Sequence, residues 1–384
     1  MPRAQPLIVV IAPDSFKGSL AAPAICAAIA RGLARVWPDV EIRACPMADG
    51  GEGTLDAVLS RGGERNTRAV TGAGGKQRAA AYGVVDAREG RTAIIEAAEI
   101  VGITDADGMA VDVTARSTKG VGELIGALLD SGVRRFMVGV GGSSTNDGGS
   151  GLLHALGARF RDAAGRDVAP SARGLASLAS VDAAKLDGRL ASCELSVMSD
   201  VDNPLCGAMG ATAIFGPQKG VQADDVARID AVLRRYATLS EAALARAVAG
   251  RPGSGAAGGL GFALQLVGGT VRSGAEVVCD LVRLDDAIAG ADWVITGEGR
   301  SDRQTLLSKA PFVVARHARA LDVPVTLLSG AVDPAALADL DRHFAGCFAL
   351  PHGPMPLDEC IRDAAALLAS RAEALAYVIA AAVK

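Results

Sequence analysis

Apolar residues recur along this chain with two kinds of spacing, one typical of strands and one typical of helices. Both kinds occur near its start and again near its end. Near the start, apolar runs typical of buried strands alternate with helical spacing, at residues 7–12, 21–36, 41–47 and 54–60. Beyond residue 290 the same alternation returns, at 292–296, 311–320, 323–328 and 347–350. Strands that alternate with helices predict a parallel sheet with helices on both faces.

The middle of the chain has a mixed pattern. Residues 65–103 predict short strands and hairpins, and later segments predict helices or strands at 120–129, 135–140, 152–156, 195–199 and 224–244. We therefore expect an α/β fold of two α/β domains. A Rossmann-like parallel-sheet domain is built from both chain ends, residues 1–62 and 289–384, with a second mixed α/β domain, residues 63–288, inserted. Two consecutive domains are the alternative, because sequence does not fix strand order.

Composition excludes several classes of protein. With 384 residues, half of them apolar, the chain can form sizeable cores and is not disordered. A net charge of −4, no basic tail and 3 % aromatic residues argue against a nucleic-acid partner. The seven cysteines are scattered without a Cys-x-x-Cys pair, which disfavours a disulfide framework or a zinc site.

We expect a cytoplasmic protein without a membrane partner. The apolar run at 7–12 is too short for a signal segment and predicts a first strand instead. Residues 364–383 come closest to a membrane span, but Arg371 and Glu373 interrupt them. That segment therefore predicts a packed amphipathic helix.

Many of the 47 glycines fall in six polar stretches, most of them after predicted strands. In open α/β sheets, ligands bind beyond the carboxyl ends of strands, although each stretch could also be a simple turn or helix cap. The stretches are 13–19 with Asp14, Ser15 and Lys17, 48–54 with Asp49 and Glu52, 139–149, 200–205, 253–259, and 296–302 with Glu298, Arg300 and Asp302.

The third stretch is the most informative. Its glycines and hydroxyl residues expose backbone N–H groups at the start of a predicted helix, which favours an anion cradle. Gly141, Gly142, Ser143, Ser144, Thr145 and Asn146 would form that cradle.

Two further stretches offer a metal site and a phosphate contact. Asp200 and Asp202 suit Mg²⁺, although a plain Asx-Pro turn explains that segment equally well. Lys219, close behind in a tight turn, suits a phosphate, as does Lys17. Residues 253–259 match G-x-G-x-x-G but follow Arg251-Pro252 rather than a strand, so they predict a packing turn or phosphate contact, not a dinucleotide site.

Absent motifs narrow the chemistry. The sequence has no G-x-x-x-x-G-K-[ST] P-loop and no G-x-S-x-G elbow, and its four histidines lie outside the six stretches. Anion cradles and acidic groups without a histidine base suggest phosphoryl transfer, which depends on positioning and charge neutralisation.

The sequence resembles the bacterial glycerate kinases of the type-I (glycerate 2-kinase) family. The resemblance lies in APDSFKGS at 12–19, ADGGEGT at 48–54, GGSSTNDGG at 141–149, DNPL at 202–205, FGPQKG at 215–220, GAAGG at 255–259 and ITGEGR at 295–300. It implies two α/β domains and the ATP- and Mg²⁺-dependent phosphorylation of D-glycerate to 2-phosphoglycerate. Relatives usually have Gly-Lys where this chain has Ser308-Lys309, and commonly Arg in place of Lys119.

On that resemblance we expect a site in the cleft between the domains. One carboxylate of Asp49, Asp200 or Asp302 would orient the glycerate hydroxyl and accept its proton, and Lys17 and Lys219 would neutralise the transferred phosphoryl group. Arg300 would pair with the glycerate carboxylate, and Asp200 and Asp202 would hold Mg²⁺. The cradle at 141–146 would bind nucleotide phosphates. Further substrate contacts would come from Asp14, Ser15, Glu52 and Glu298.

Two other functions fit the same motifs. One is a glycerate 3-kinase or a kinase of a related hydroxy acid, and the other is a catalytically silent sugar-acid sensor. The sequence does not fix the oligomeric state, the catalytic base or the domain that holds the nucleotide.

Overall fold

A computed structural model describes residues 6–87 and 90–382, in two compact units. The first unit contains the described residues up to Asp49, then Asp56–Gly62, and the described residues from Ala275 onward. The second contains Gly50–Leu55 and Gly63–Gly274. The predicted boundaries, after residues 62 and 288, stay predictions, and residues 275–288 belong to the first unit here. Residues 88, 89 and 383 of the predicted elements lie outside the described residues.

The described residues form strands and helices that alternate along most of the chain. The strands are β1 (Ile8–Ile11), β2 (Glu41–Ala44), β3 (Glu64–Thr71), β4 (Gln77–Ala87), β5 (Gly90–Glu96), β6 (Arg135–Gly139), β7 (Arg159–Arg161), β8 (Ser180–Asp182), β9 (Glu194–Met198), β10 (Thr270–Arg272), β11 (Trp293–Thr296), β12 (Arg300–Ser301), β13 (Val325–Ser329), β14 (Ala331–Val332) and β15 (Gly346–Ala349). The helices are α1 (Ala22–Ala34), α2 (Thr54–Leu59), α3 (Ala97–Val101), α4 (Ala106–Met109), α5 (Lys119–Asp130), α6 (Ser150–Ala155), α7 (Ala172–Leu175), α8 (Ala211–Phe215), α9 (Val226–Leu244), α10 (Ala256–Leu266), α11 (Gly274–Val282), α12 (Leu284–Ile288), α13 (Ala310–Ala320), α14 (Leu337–Leu340), α15 (Leu357–Arg362) and α16 (Ala364–Ala382).

The first unit contains a parallel five-stranded sheet from both chain ends, in the order β15-β13-β11-β1-β2. Its central strands are mostly apolar and almost entirely buried, as expected where helices cover both faces. From β1 the chain continues to β2 at one edge of the sheet. It returns at β11, on the other side of β1, and adds β13 and β15 toward the opposite edge. The sheet order therefore reverses between β1 and β11, and such a switch point opens a crevice for ligands.

Helices α1 and α16 pack together over this sheet. Leu368, Ala372 and Ala376 are fully buried at helical spacing, in one core cluster with Ile25 and Ile29 of α1. Among the described helices, α16 alone is long and apolar enough to cross a membrane by length and composition, with 33 % of its most apolar window buried. A core helix has the same properties, and the buried face of α16 agrees with the prediction of a packed helix.

The second unit contains a six-stranded mixed sheet in the order β10-β9-β6-β5-β4-β3. Strands β5, β6, β9 and β10 run parallel, while β3, β4 and β5 pair antiparallel as the predicted hairpins. The loops after β6 and β9 therefore leave the same edge of the sheet. This arrangement, with the sheet of the first unit, confirms the predicted fold class.

Helices α10, α11 and α12 were not predicted from the sequence, and residues 97–101, expected among short strands, form the helix α3. Every residue of α10 is buried, so the polar–apolar contrast that marks a surface helix is missing. Its first turn also contains Ala257, Gly258 and Gly259 at positive φ, which breaks the helical geometry where the Gly-rich stretch begins.

A substitution at the α1–α16 contact tests the packing of the first unit. A Cβ on Gly32 would lie 2.1 Å from the Ala369 carbonyl oxygen and 2.9 Å from the Ala372 Cβ. We expect Gly32→Ala to lower the free energy of unfolding by about 1–3 kcal/mol, measured by urea denaturation. Gly353→Ala is the matched control, because an added Cβ there meets nothing within 4 Å. Equal stability of the two variants would contradict the close packing.

Candidate active site

The switch point of the first unit brings two carboxyl groups side by side. Ile11 lies beside Ile295 in the parallel register of β1 and β11, and each carboxylate stands three residues after this pair. The Asp14 N–H donates to the Gly297 carbonyl oxygen at 2.8 Å, which fixes the two strand ends to each other. Asp14 and Glu298, both expected to contact substrate, are 6 % exposed.

Asp14 is the strongly perturbed carboxyl of this group. Burial and, next in size, the nearby negative charge of Asp49 raise its pKa to about 7. The Ser15 N–H, which donates to Asp14 Oδ1 at 2.6 Å, and the Lys17 ammonium oppose that shift. Lys17 Nζ lies 3.7 Å from Asp49 Oδ2, so four predicted site residues share this loop region of the first unit.

Glu298 accepts hydrogen bonds from two buried hydroxyls. The donors are Ser301 Oγ at 3.1 Å and Thr305 Oγ1 at 2.6 Å. Burial raises the pKa of Glu298, and Lys309, with Nζ 3.7 Å away, counters that rise. Lys309 thus has a partner that the sequence did not reveal.

Ser308 precedes Lys309 in a left-handed conformation with φ of 62°. A side chain is disfavoured there, which accounts for the glycine usual at this place in the resembled family.

Two other predicted site residues of the first unit, Asp302 and Arg300, have different surroundings from Asp14 and Glu298. Asp302 caps the short 3-10 helix Arg303–Leu306, because its carboxylate accepts the Gln304 N–H at 2.8 Å. Arg300 is exposed, with its guanidinium 3.7 Å from Asp333. Arg300 is therefore accessible to a ligand carboxylate, whereas Asp302 has a structural role in the loop.

In the second unit, the Gly-rich loop after β6 turns its hydroxyls inward. Ser144 Oγ donates to the Val101 carbonyl oxygen at 2.9 Å, and Asn146 Nδ2 donates to Thr212 Oγ1 at 3.0 Å. Gly141 and Gly142 are exposed, so the backbone there is accessible to an anion. Thr145 Oγ1 and Asn146 Oδ1 are buried without a hydrogen-bond partner in the described part of the chain. This loop therefore contains two buried polar atoms whose hydrogen-bonding capacity is not used by the described residues.

Lys219 lies beneath this loop rather than in solvent. It is 2 % exposed, and its ammonium donates to Ser143 Oγ at 2.9 Å and to the Thr145 carbonyl oxygen at 2.8 Å. Its pKa is lowered to about 7, chiefly by burial; the negative charge of Asp147 opposes that shift, and the positive charge of Arg116 adds to it. In this geometry Lys219 holds the loop in shape, and its contact with a phosphoryl group stays a prediction.

Arg116 is a loop-positioning residue that sequence analysis missed. Its buried guanidinium donates to the carbonyl oxygens of Ser144 at 2.9 Å and Lys219 at 3.0 Å. Arg116 stands 28 residues before Ser144 in a segment without a recognisable pattern. No local signal marks it.

Asp147 fixes the end of the same loop. Its fully buried carboxylate accepts from the Thr118 N–H and hydroxyl, both at 2.8 Å, and from the N–H groups of Gly149 and Gly151 at 3.0 and 3.1 Å. The stretch at 253–259 packs against this loop, since a Cβ on Gly258 would lie 2.1 Å from the Thr145 carbonyl oxygen. That closeness supports the packing-turn alternative for the stretch.

The candidate metal ligands lie in the loop after β9. Asp200 and Asp202 are exposed, and Asp200 Oδ1 accepts the Gly274 N–H at 3.2 Å. Glu52, also in the second unit, is exposed. Within residues 6–87 and 90–382, no three His, Cys, Asp or Glu side chains gather as a metal cluster. Two carboxylates still match Mg²⁺ that keeps waters and phosphate oxygens as its other ligands.

Comparison with known proteins assigns the family. The profile described as "Glycerate kinase family" matches residues 9–380. The chain belongs to the glycerate kinase family. It is 40 % identical over 373 residues to a glycerate kinase of Bacillus subtilis (strain 168), which covers 97 % of both chains. It is also 40 % identical over 327 residues to a glycerate 2-kinase of Escherichia coli (strain K12), which covers 84 % of this chain and 85 % of the other.

A solved structure agrees with the glycerate kinase assignment. The crystal structure of a protein assigned as glycerate kinase 2 from Salmonella typhimurium LT2 matches with a TM-score of 0.87 and 40 % identity. The match covers 98 % of this chain and 99 % of that one. The family resemblance inferred from the motifs is confirmed, and membership of a kinase family implies the use of ATP.

The buried Lys219 predicts how stability changes with pH. Its pKa in the folded protein, about 7, lies below the ordinary value of 10.5, so between these values the folded state binds fewer protons than the unfolded state. Stability of this glycerate kinase family member should therefore rise with pH across that window. We expect Lys219→Met to flatten the rise, measured by urea unfolding at pH about 7 and about 9.5. Lys185→Met, at an exposed lysine of the same unit, should leave it unchanged. An equal rise of stability with pH in the wild type and both variants would contradict the lowered pKa of Lys219.

Ser308 gives a test of the loop beside Glu298. Because its φ of 62° favours glycine, we expect Ser308→Gly to raise the free energy of unfolding, by roughly 0.5–1 kcal/mol. Ser370→Gly in the exposed face of α16 should lower it by a similar amount, since glycine disfavours a helix. Thermal or urea unfolding of both variants measures these changes. A loss of stability in Ser308→Gly would contradict backbone strain at Ser308.

Proposed function

We propose that this protein phosphorylates D-glycerate at its 2-hydroxyl, with ATP as donor and Mg²⁺ as the metal, to give 2-phosphoglycerate. The observation that carries the proposal is the near-full-length likeness to glycerate kinases, which includes a glycerate 2-kinase at 40 % identity. The polar loops support it, because they leave the carboxyl ends of the strands in each sheet, where α/β proteins bind their ligands.

Glycerate recognition is proposed for the loops of the first unit. Arg300 is exposed and offers a guanidinium that fits a carboxylate with two parallel hydrogen bonds. Lys17 is also exposed, with Asp49 close by, so its ammonium can meet a negatively charged phosphoryl group. Ser15 and Glu52 stay predicted substrate contacts.

Nucleotide binding is proposed for the second unit. The exposed backbone at Gly141 and Gly142 precedes α6, so N–H groups there can donate to phosphate oxygens. Buried Thr145 Oγ1 and Asn146 Oδ1, which lack partners among the described residues, fit a site completed by a ligand or its water. Asp200 and Asp202 would hold Mg²⁺, which neutralises phosphate charge when bound.

Three finer expectations stay predictions. They are a reaction in a cleft between the two units, a direct role for Lys219 at the phosphoryl group, and a cytoplasmic location.

A coupled assay tests the proposed reaction. The full chain is incubated with ATP, Mg²⁺ and D-glycerate, and the product is offered to enolase without a phosphoglycerate mutase. We expect ADP to form and phosphoenolpyruvate to appear without a mutase, because enolase accepts 2-phosphoglycerate and not 3-phosphoglycerate. In the kinase step alone, before enolase is added, omission of Mg²⁺ should abolish ADP formation.

Two results would contradict the proposal. If phosphoenolpyruvate formed only after a mutase was added, the protein would be a 3-kinase. If D-glycerate raised the melting temperature but no ADP formed, the protein would be a sugar-acid sensor.

A further inference from the structure

We propose that Asp14 is the general base of the reaction, the group that accepts the proton of the glycerate hydroxyl as that oxygen attacks the γ-phosphorus. The inference rests on the proposed function and identifies the proton acceptor, for which sequence analysis had considered Asp49, Asp200 and Asp302 instead. The sequence predicted only a substrate contact for Asp14, and the role of proton acceptor goes beyond it.

The position of Asp14 in the fold is the first argument. It follows β1 at the point where the sheet order reverses, which is where open α/β sheets bind their ligands. The hydrogen bond from its N–H to Gly297 fixes its backbone to the end of β11. Its carboxylate is therefore carried by the rigid centre of the sheet rather than by a free loop.

The orientation of the carboxylate is the second argument. Oδ1 accepts the neighbouring Ser15 N–H at 2.6 Å, and Oδ2 has no hydrogen-bond donor among the described residues. With one oxygen held, the other remains able to accept a proton. The residue is 6 % exposed, so bulk water competes little for that oxygen.

The charges around Asp14 are the third argument. Asp49 on the loop after β2 and Glu298 after β11 disfavour its negative charge, as burial does, while Lys17 on its own loop favours it. Lys309 lies behind Glu298 and partly offsets that carboxyl. The pKa of about 7 that results lets Asp14 be ionised before the reaction and hold a proton after it, which suits a general base near neutral pH.

The other carboxylates are less suited to the task. Asp302 is engaged as the cap of a 3-10 helix, and Asp200 is exposed and accepts the Gly274 N–H. Asp49 Oδ2 lies 3.7 Å from Lys17 Nζ, so that carboxylate is engaged in an ion pair.

The proton and the phosphoryl group move in one balanced step. The hydroxyl O–H bond of glycerate breaks and its proton passes to Asp14 Oδ2. The same oxygen forms a bond to the γ-phosphorus, while the bond from that phosphorus to the β–γ bridging oxygen breaks. The electron pair of that bond leaves with ADP. Asp14 then releases the proton to water and regains its charge.

The test is the pH dependence of kcat/KM for glycerate in the wild-type protein and in Asp14→Asn. In the wild type we expect activity to fall below an apparent pKa of about 7. Asp14→Asn should lose about 10²–10⁴-fold in kcat with a smaller change in KM, and its remaining activity should lack that acidic limb. Retention of activity within threefold would overturn the inference.

Asp49→Asn separates a base from a merely structural residue. Removal of the Asp49 charge should lower the pKa of Asp14, so the acidic limb should move to lower pH even though the overall rate also changes. An unmoved limb would overturn the inference, and this readout does not require Asp14→Asn to fold. If the wild-type protein made no phosphoglycerate, the proposed function would fail instead, which is a different result from an active wild type with an active Asp14→Asn.

Discussion

Charged side chains buried against backbone groups hold the loops on which both candidate sites depend. A loop rich in glycine has many carbonyl and N–H groups but few side chains to fix it, and buried backbone groups require partners. In the second unit, Lys219 and Arg116 donate to carbonyl oxygens of the Gly-rich loop, and Asp147 accepts N–H groups where it meets α6. The charges thereby replace the packing contacts that larger side chains would supply.

Because Arg116 and Lys219 bond carbonyl oxygens of this loop, they do not compete for the N–H groups at its tip. The carbonyl oxygens of Ser144 and Thr145 are satisfied from within, whereas Gly141 and Gly142 remain exposed. A loop held in this way offers fixed dipoles of one sign to a ligand, which is the condition for an anion site that needs no reorganisation on binding. Lys219, next to Gly220, thus acts on this loop through the shape that it imposes.

The sequence predicted the positions of the loops better than the roles of their side chains. Strand ends at Ile11, Gly139 and Thr296 could be located because buried runs end where polar glycine stretches begin. Burial of Lys219 could not be seen, since a lysine in a tight turn has the same local pattern whether exposed or enclosed. The capping bond of Asp302 and the distant partner Arg116 depend on tertiary contacts that local sequence does not encode.

Each unit buries a carboxyl group, and burial raises the pKa of both Asp147 and Asp14, but their surroundings differ. In the second unit four donors to Asp147 oppose that rise in pKa, and its carboxyl group fixes a loop. In the first unit Asp14 has one described donor and two acidic neighbours, so its environment favours proton uptake. A phosphate is best bound by fixed dipoles, whereas proton transfer needs a group whose two protonation states lie close in free energy. The contrast follows from burial with and without hydrogen-bond donors, because the same carboxyl group serves both purposes.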